Sequence, residues 1–476
     1  MLFNSIHFIF FFIIVTTLYF LIDHKYRWFL LLTSSCYFYM IFVPIYIVIL
    51  GFTIVIDYFA GIYIEKTKGN KKRMFLILSL IANIGILAVF KYYNFINENI
   101  TLLFSEFGIN NPIPYLSILL PIGLSFHTFQ AMSYTIEVYR GNQKAERNFG
   151  IYALYVMFYP QLVAGPIERP QNLLHQFYEK HYFEYNRIVE GLKLVLWGFF
   201  QKIVIADRLA IYVNSVFNNQ AHHNGNTLAL ASIFFTIQVY CDFSGYSNIA
   251  IGVAKVMGFN LMTNFKRPLL AKSIDEFWKK WHISLSSWFR DYLYISLGGN
   301  RVSVPRWCFN LFFVFLISGL WHGAAWTYIG WGAITGFYLI FAIFTRKYRT
   351  KLKEVIGLNK FPLFERSMQT IITFLLICFS LIIFRSNSGS DALQIITKIF
   401  SFSGKIFYDD PALIAYSIFG ILFLLAAEFK QEYFPGKYLF FNNKSWVIRN
   451  LTYSAIIILI LIFGVFDGGE FVYFQF

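Results

Sequence analysis

Apolar stretches of about 17 to 25 residues recur along this chain from its first residues to its last, each long enough to cross about 30 Å of hydrocarbon as a helix. Helices satisfy their own backbone groups in lipid, so the pattern dictates an all-α, polytopic integral membrane protein. About eleven to thirteen such stretches can be counted. Composition agrees: of 476 residues, 57% are hydrophobic, 21% aromatic and only 14% charged. A water-facing surface cannot be built from that mixture. The first run, Ser5 to Ile22, lacks a basic start and a small-residue cleavage site, and is expected to be a retained helix.

The net charge of +15 does not point to nucleic acid, because the basic residues fall in short clusters between apolar segments, as in cytoplasmic loops. Lys66, Lys68, Lys71, Lys72 and Arg73 form one cluster, and Arg140, Lys144 and Arg147 another; the loop between them carries Glu98 and Glu106. Counting back through a turn near Val43-Pro44 and a basic loop at Lys25 and Arg27 puts the N-terminus outside. Arg346, Lys347, Arg349, Lys351 and Lys353, then Lys430, Lys437, Lys444 and Arg449, mark later cytoplasmic loops and leave the tail Asp467 to Phe476 outside. Between residues 167 and 227 the charges are mixed and the parity of crossings cannot be followed; re-entrant or interfacial helices are expected there. Without repeats or a soluble appendage, 1–476 reads as a single membrane domain: N-terminal helices 1–112, a motif-bearing core 113–345 and C-terminal helices 346–476.

Cys36, Cys241, Cys308 and Cys378 are scattered singly, which disfavours disulfides and structural zinc. His222-His223 have no carboxylate or cysteine at ligand spacing, and His7, His24, His127, His175 and His181 are isolated, so no metal is expected. Gly245-Tyr246-Ser247-Asn248-Ile249 begins like a nucleophile elbow but lacks its last glycine.

The strongest local feature is Leu320-Trp321-His322-Gly323-Ala324-Ala325-Trp326, inside a charge-free stretch from Trp307 to Thr345. Bracketed by Arg301 and Arg306 and by the Arg346 cluster, the stretch predicts a helical hairpin open to the cytoplasm, with His322 about 24 Å from Arg306 along a helix. An ionisable group at that depth faces a protein interior or wet cavity, and imidazole titrates where a general base should. The competing reading is a packing histidine bonded to a neighbouring carbonyl. A second histidine, His282, lies in Asp275 to Tyr292, where Trp278, Trp281, His282, Leu285, Trp288, Phe289 and Tyr292 share one face of an amphipathic helix. It can orient a substrate or simply pack. Asp242 and Glu137 each need a partner in their apolar surroundings, an arginine or a helix N-terminus. Pro160 to Pro170 carries three prolines and Gly165, and should break a helix beside a cavity.

These segments together resemble the membrane-bound O-acyltransferase (MBOAT) family, in its bacterial branch of alginate and peptidoglycan O-acetyltransferase membrane subunits and teichoic-acid D-alanyl transfer proteins. The similar stretches are Leu120 to Gln130, Gln161 to Pro170, Cys241 to Tyr246, Asp275 to Tyr292, Trp321-His322-Gly323 and the ending Phe471 to Phe476, in the same order. His127 departs from the pattern, where an aromatic residue is expected. The resemblance implies a ring of membrane helices around a funnel or tunnel. It makes His322 the catalytic histidine and places His282 at the second site position, usually His or Asn. Candidates for the channel wall in the same motifs are Trp281, Trp321, Asp242, Glu168, Arg169 and Arg290. It further implies acetyl-CoA as acyl donor, an extracytoplasmic acetyltransferase as partner and a polysaccharide as final acceptor, from a bacterial inner membrane. D-alanyl transfer from a carrier-protein thioester is the alternative within the class. A polysaccharide or lipid-linked sugar transporter is the rival outside it, disfavoured by the lack of paired interrupted helices. A scaffold that only anchors the extracytoplasmic enzyme is a third.

Overall fold

The computed structural model describes residues 1–117, 121–434, 441, 443–466 and 471. Leu120, Lys437 and the tail from Asp467, apart from Phe471, therefore lie outside the described residues. Among these residues the regular structure is helical, and eight helices are long and apolar enough to cross a membrane. Ile6–Leu21 is apolar but shorter, at 16 residues. Helix ends follow the punctuation of the sequence. His24–Met40 stops before Pro44 and Tyr46–Lys66 begins after it. The basic cluster from Lys66 to Arg73 falls at a turn, where Gly69 opens the next helix.

Contacts divide the chain into two compact units, Met1–Val195 with Ser247–Met262, and Leu196–Tyr246 with Thr263–Phe476. In the first unit Tyr39, Leu50, Leu87, Leu124 and Leu162 form an apolar cluster. Beside it runs a buried polar seam. Asp57 accepts hydrogen bonds from Ser79 Oγ at 2.6 Å and Asn83 Nδ2 at 2.9 Å, and His127 meets Thr53 Oγ1 at 2.6 Å. His127, the departure from the family pattern, thus fills its position as a buried hydrogen-bonding residue. Glu137 finds Arg140, Asn142 and Gln171. The proline-rich segment breaks helix as expected: Phe149–Met157 and the short Tyr159–Leu162 precede irregular, buried backbone, and helix resumes at Pro170.

In the second unit a large apolar core gathers around Phe200, Leu209, Phe234, Cys241, Trp281, Trp331 and Leu381. Helix Gly225–Met257, which belongs to this unit only as far as Tyr246, has 83% of its most apolar window buried, against 39% or less for the other seven candidate spans, so its polar residues are shielded from lipid. Asp242 lies on this enclosed helix.

Candidate active site

The charge-free stretch forms the hairpin its flanking arginines predict, from Val304–His322 and Trp326–Phe344. His322 is the last residue of the first helix. Gly323 leaves helical geometry at φ −164° and ψ 155°, so the imidazole stands at the hairpin tip, one straight helix away from Arg306. Two close glycine contacts draw the arms together. A Cβ on Gly319 would lie 2.2 Å from the Tyr328 carbonyl oxygen, and one on Gly332 would lie 2.3 Å from that of Phe315. Small residues at such crossings let helix backbones pack directly in a membrane.

The His322 side chain is buried and walled by aromatic rings at 5.0 Å (Trp321), 5.0 Å (Trp331) and 5.6 Å (Phe384), all nearly edge-on. His282 is fully buried, with Phe243 at 4.5 Å edge-on, Phe265 at 6.2 Å nearly parallel and Trp321 at 6.2 Å. The Trp321 indole therefore touches both imidazoles, which lie within electrostatic reach of each other.

His282 does not ride on one continuous amphipathic helix. The segment breaks into Ile274–Lys280 and Ile283–Trp288, continued as a π-helical turn from Phe289 to Tyr294. His282 sits at the break with φ 41° and ψ 54°, in the left-handed region. An extended segment holds the break open: Lys266 N donates to Lys280 O at 2.9 Å, Ile283 N donates to Asn264 O at 2.9 Å, and Ser284 Oγ donates to Asn264 Oδ1 at 2.9 Å. The periodicity of Trp278, Trp281 and Leu285 concealed this, because one left-handed residue shifts the face without erasing the apolar spacing.

Behind Phe243, Asp242 pairs with Lys202 Nζ at 2.6 Å, and Lys202 reaches Asp207 at 2.7 Å. All three side chains are buried. Asp242 thus has the partner its setting requires, a lysine instead of an arginine or helix end. The ion pair fixes the helix turn that presents Phe243 to His282. Phe471, from the closing motif, packs on Phe243 at 5.4 Å and on Tyr246 at 4.6 Å. Among the described residues no group of three histidine, cysteine or acidic side chains could hold a metal ion.

Residues 147–381 match the family model described as MBOAT, membrane-bound O-acyltransferase family. A probable alginate O-acetylase, AlgI, of Pseudomonas aeruginosa is 38% identical over 84% of this chain and 75% of its own length. The chain belongs to the membrane-bound O-acyltransferase family. A peptidoglycan O-acetyltransferase of Helicobacter pylori is 33% identical over 79% of this acyltransferase and 74% of its own length. A teichoic acid D-alanyltransferase of Streptococcus thermophilus is 30% identical over 55% and 68% respectively. The enzyme is thus a multi-pass membrane acyltransferase.

Of the sequence candidates, the structure brings together His322, His282 and Trp321, with Asp242 one residue from the ring that contacts His282. Trp281 stands one ring further out, 5.2 Å from Phe265. Arg290 pairs with Asp291 at 2.8 Å and lines a cavity whose wall includes neither histidine. Glu168 and Arg169 belong to the first unit, where the buried Glu168 carboxylate accepts from Asn172 Nδ2 and Met262 N, both at 2.5 Å. Sequence reading missed Lys202, Trp331 and Phe384. Lys202 carried a signal, being a cation inside the apolar run from Leu194 to Ile205; the two rings are indistinguishable in sequence from lipid-facing aromatics.

Proposed function

We propose that this acyltransferase takes acetyl from cytoplasmic acetyl-CoA and passes it across a bacterial inner membrane for O-acetylation of an extracytoplasmic polysaccharide, with His322 as general base. The observation that carries the proposal is the pair of buried imidazoles sharing one indole at the tip of a membrane hairpin. A thioester is already activated. The protein has to place an acceptor hydroxyl, remove its proton and keep water from the acyl group. An imidazole base contributes about 10² to 10⁴ in rate, and the aromatic wall excludes bulk water. His282 is assigned to orienting the acceptor or donating to the developing oxyanion.

The two acetyltransferase relatives match more of the chain, at higher identity, than the D-alanyltransferase, which favours acetyl over D-alanyl. Their printed names support an alginate-like polymer or peptidoglycan as acceptor. The basic clusters support cytoplasmic loops at 66–73, 140–147 and 346–353, with both termini outside, and a separate extracytoplasmic acetyltransferase is the expected partner for the last transfer.

The test is reconstitution of the full chain with labelled acetyl-CoA, and with an aminoacyl carrier protein as the competing donor. His322→Ala, inserted at normal level, is expected to lose acetyl transfer by about 10² to 10⁴. Full polymer acetylation by that variant would overturn the catalytic assignment; loss of polymer export alone would favour transport.

A further inference from the structure

The cavity that Arg290 lines, of about 1400 Å³, lies among the hairpin, the Ile274–Lys280 and Ile283–Trp288 segments, the short helix Arg346–Ile356 and helix Pro362–Arg385. It exceeds the roughly 300 to 1,000 Å³ typical of small-molecule sites. Its wall is layered. Arg346, Arg349 and Lys353 mark one end, on a helix whose sequence, Arg-Lys-Tyr-Arg-Thr-Lys-Leu-Lys-Glu-Val-Ile, is built to lie at an interface. Leu311, Val314, Phe315, Phe337, Phe341 and Leu376 are apolar. Phe337 precedes Arg346 by nine residues, so the wall runs about 13 Å inward along a helix. That is close to one leaflet of a bilayer about 30 Å thick.

Two further observations fix the chemistry. Phe337, Phe341 and Ile372 line the cavity yet are 56%, 54% and 49% exposed, so it opens sideways where lipid stands. A site for a water-soluble molecule gains nothing from an apolar side door. The wall also carries six cations, Lys272, Lys279, Arg290, Arg346, Arg349 and Lys353, against one acid, Asp275. Lys279, Arg290 and Lys353 are ion-paired with Asp275, Asp291 and Glu365. Among the described residues Arg346 and Arg349 have no carboxylate within ion-pair distance; they stand one turn apart, and Arg349 donates through Nη2 to the Ala342 carbonyl at 2.8 Å, which leaves its other N–H groups to face the cavity.

We infer that this cavity binds an anionic phospholipid of the cytoplasmic leaflet, its phosphate held by Arg346 and Arg349 and an acyl chain laid along Phe337, Phe341 and Ile372. Paired arginines match a phosphate's oxygens, and basic pockets between membrane helices select anionic headgroups. The inference does not rest on the acyl-transfer reading, since lipid retention is measured without turnover.

The test is native mass spectrometry of the full-length protein, delipidated and then offered equimolar phosphatidylglycerol and phosphatidylethanolamine. The wild type is expected to retain one phosphatidylglycerol selectively. The Arg346→Gln/Arg349→Gln variant should lose that preference by about 30-fold, two basic contacts' worth, and Arg346→Lys/Arg349→Lys should keep most of it. Should the Gln variant fail to fold, brominated phosphatidylglycerol should quench wild-type tryptophan fluorescence more than brominated phosphatidylcholine, and Trp307→Phe should reduce the difference. Equal retention of the two lipids, or displacement of the bound lipid by stoichiometric coenzyme A, would overturn the inference, the latter by giving the arginines to a soluble phosphate ligand.

Discussion

Gly319→Ala tests whether the hairpin's closeness places His322. An added Cβ would lie 2.2 Å from the Tyr328 carbonyl oxygen, where ordinary contact begins at 3.4 Å, so the arms must part by about 1.2 Å at that level. Gly319 is three residues before His322, so the displacement reaches the imidazole almost undiminished. A 1 Å misplacement of a reacting group costs about 10²-fold in rate, and a loss near that size in kcat is expected, with protein level unchanged. Helix propensity works the other way, because alanine in a helix interior is favoured over glycine by about 0.5 to 1 kcal/mol; a loss of activity therefore reports geometry and not a weakened helix. Gly330→Ala is the control on the facing arm. Its Cβ would meet only Ile383 Cγ2, at 3.5 Å, and activity should stay within about twofold of wild type. Acetyl transfer in membranes normalised for enzyme content measures both. Equal activity of the two variants would refute the hairpin argument.

Lys202→Met leaves Asp207 and Asp242 buried without their cation, and is expected to destabilise the protein by about 3 to 5 kcal/mol, read as a lower thermal unfolding midpoint in detergent; an unchanged midpoint would show that the pair does not hold the helix. His282→Asn should preserve that midpoint and most of the transfer, since asparagine accepts left-handed backbone and keeps a hydrogen-bonding group, whereas His282→Val should cost both stability and transfer because a β-branched residue offers neither; a Val variant as stable as Asn would remove the backbone argument.

Lipid-scale apolar runs and the charge-free hairpin were legible because membrane burial acts on every residue of a segment, leaving a signal that survives without contacts. His322 was legible for the same reason, as a polar exception inside such a run. Among the described residues eight helices pass as spans, where the sequence offers eleven to thirteen stretches. The difference falls on helices such as Ile6–Leu21, apolar and largely exposed but only 16 residues long, and Leu124–Arg140, whose residues are mostly buried in protein and need not fill a bilayer's thickness. The break at His282 and the Lys202 to Asp242 pair were hidden. The first is a single backbone torsion, and the second joins residues forty positions apart across two helices, so neither leaves a periodic trace.

The break also gives a physical reason for what the second site position accepts. A non-glycine residue at φ 41° is strained by about 1 to 3 kcal/mol unless its side chain tolerates the left-handed region. Asparagine and histidine are among the few enriched there, and these are the two residues the family resemblance places at this point. The restriction then has two sources that act together. The left-handed turn sends the chain from Ile274–Lys280 into Ile283–Trp288 and points one side chain inward between Phe243, Phe265 and Trp321. On the proposed function, a hydrogen-bonding group is also needed at the end of that side chain, beside His322. Glycine satisfies the backbone and lacks the group; glutamine carries the group but is not among the residues favoured in the left-handed region. Histidine and asparagine meet both demands, so under the proposed function this position answers to torsion and to chemistry at once, while His322, on ordinary helical backbone, answers to chemistry alone.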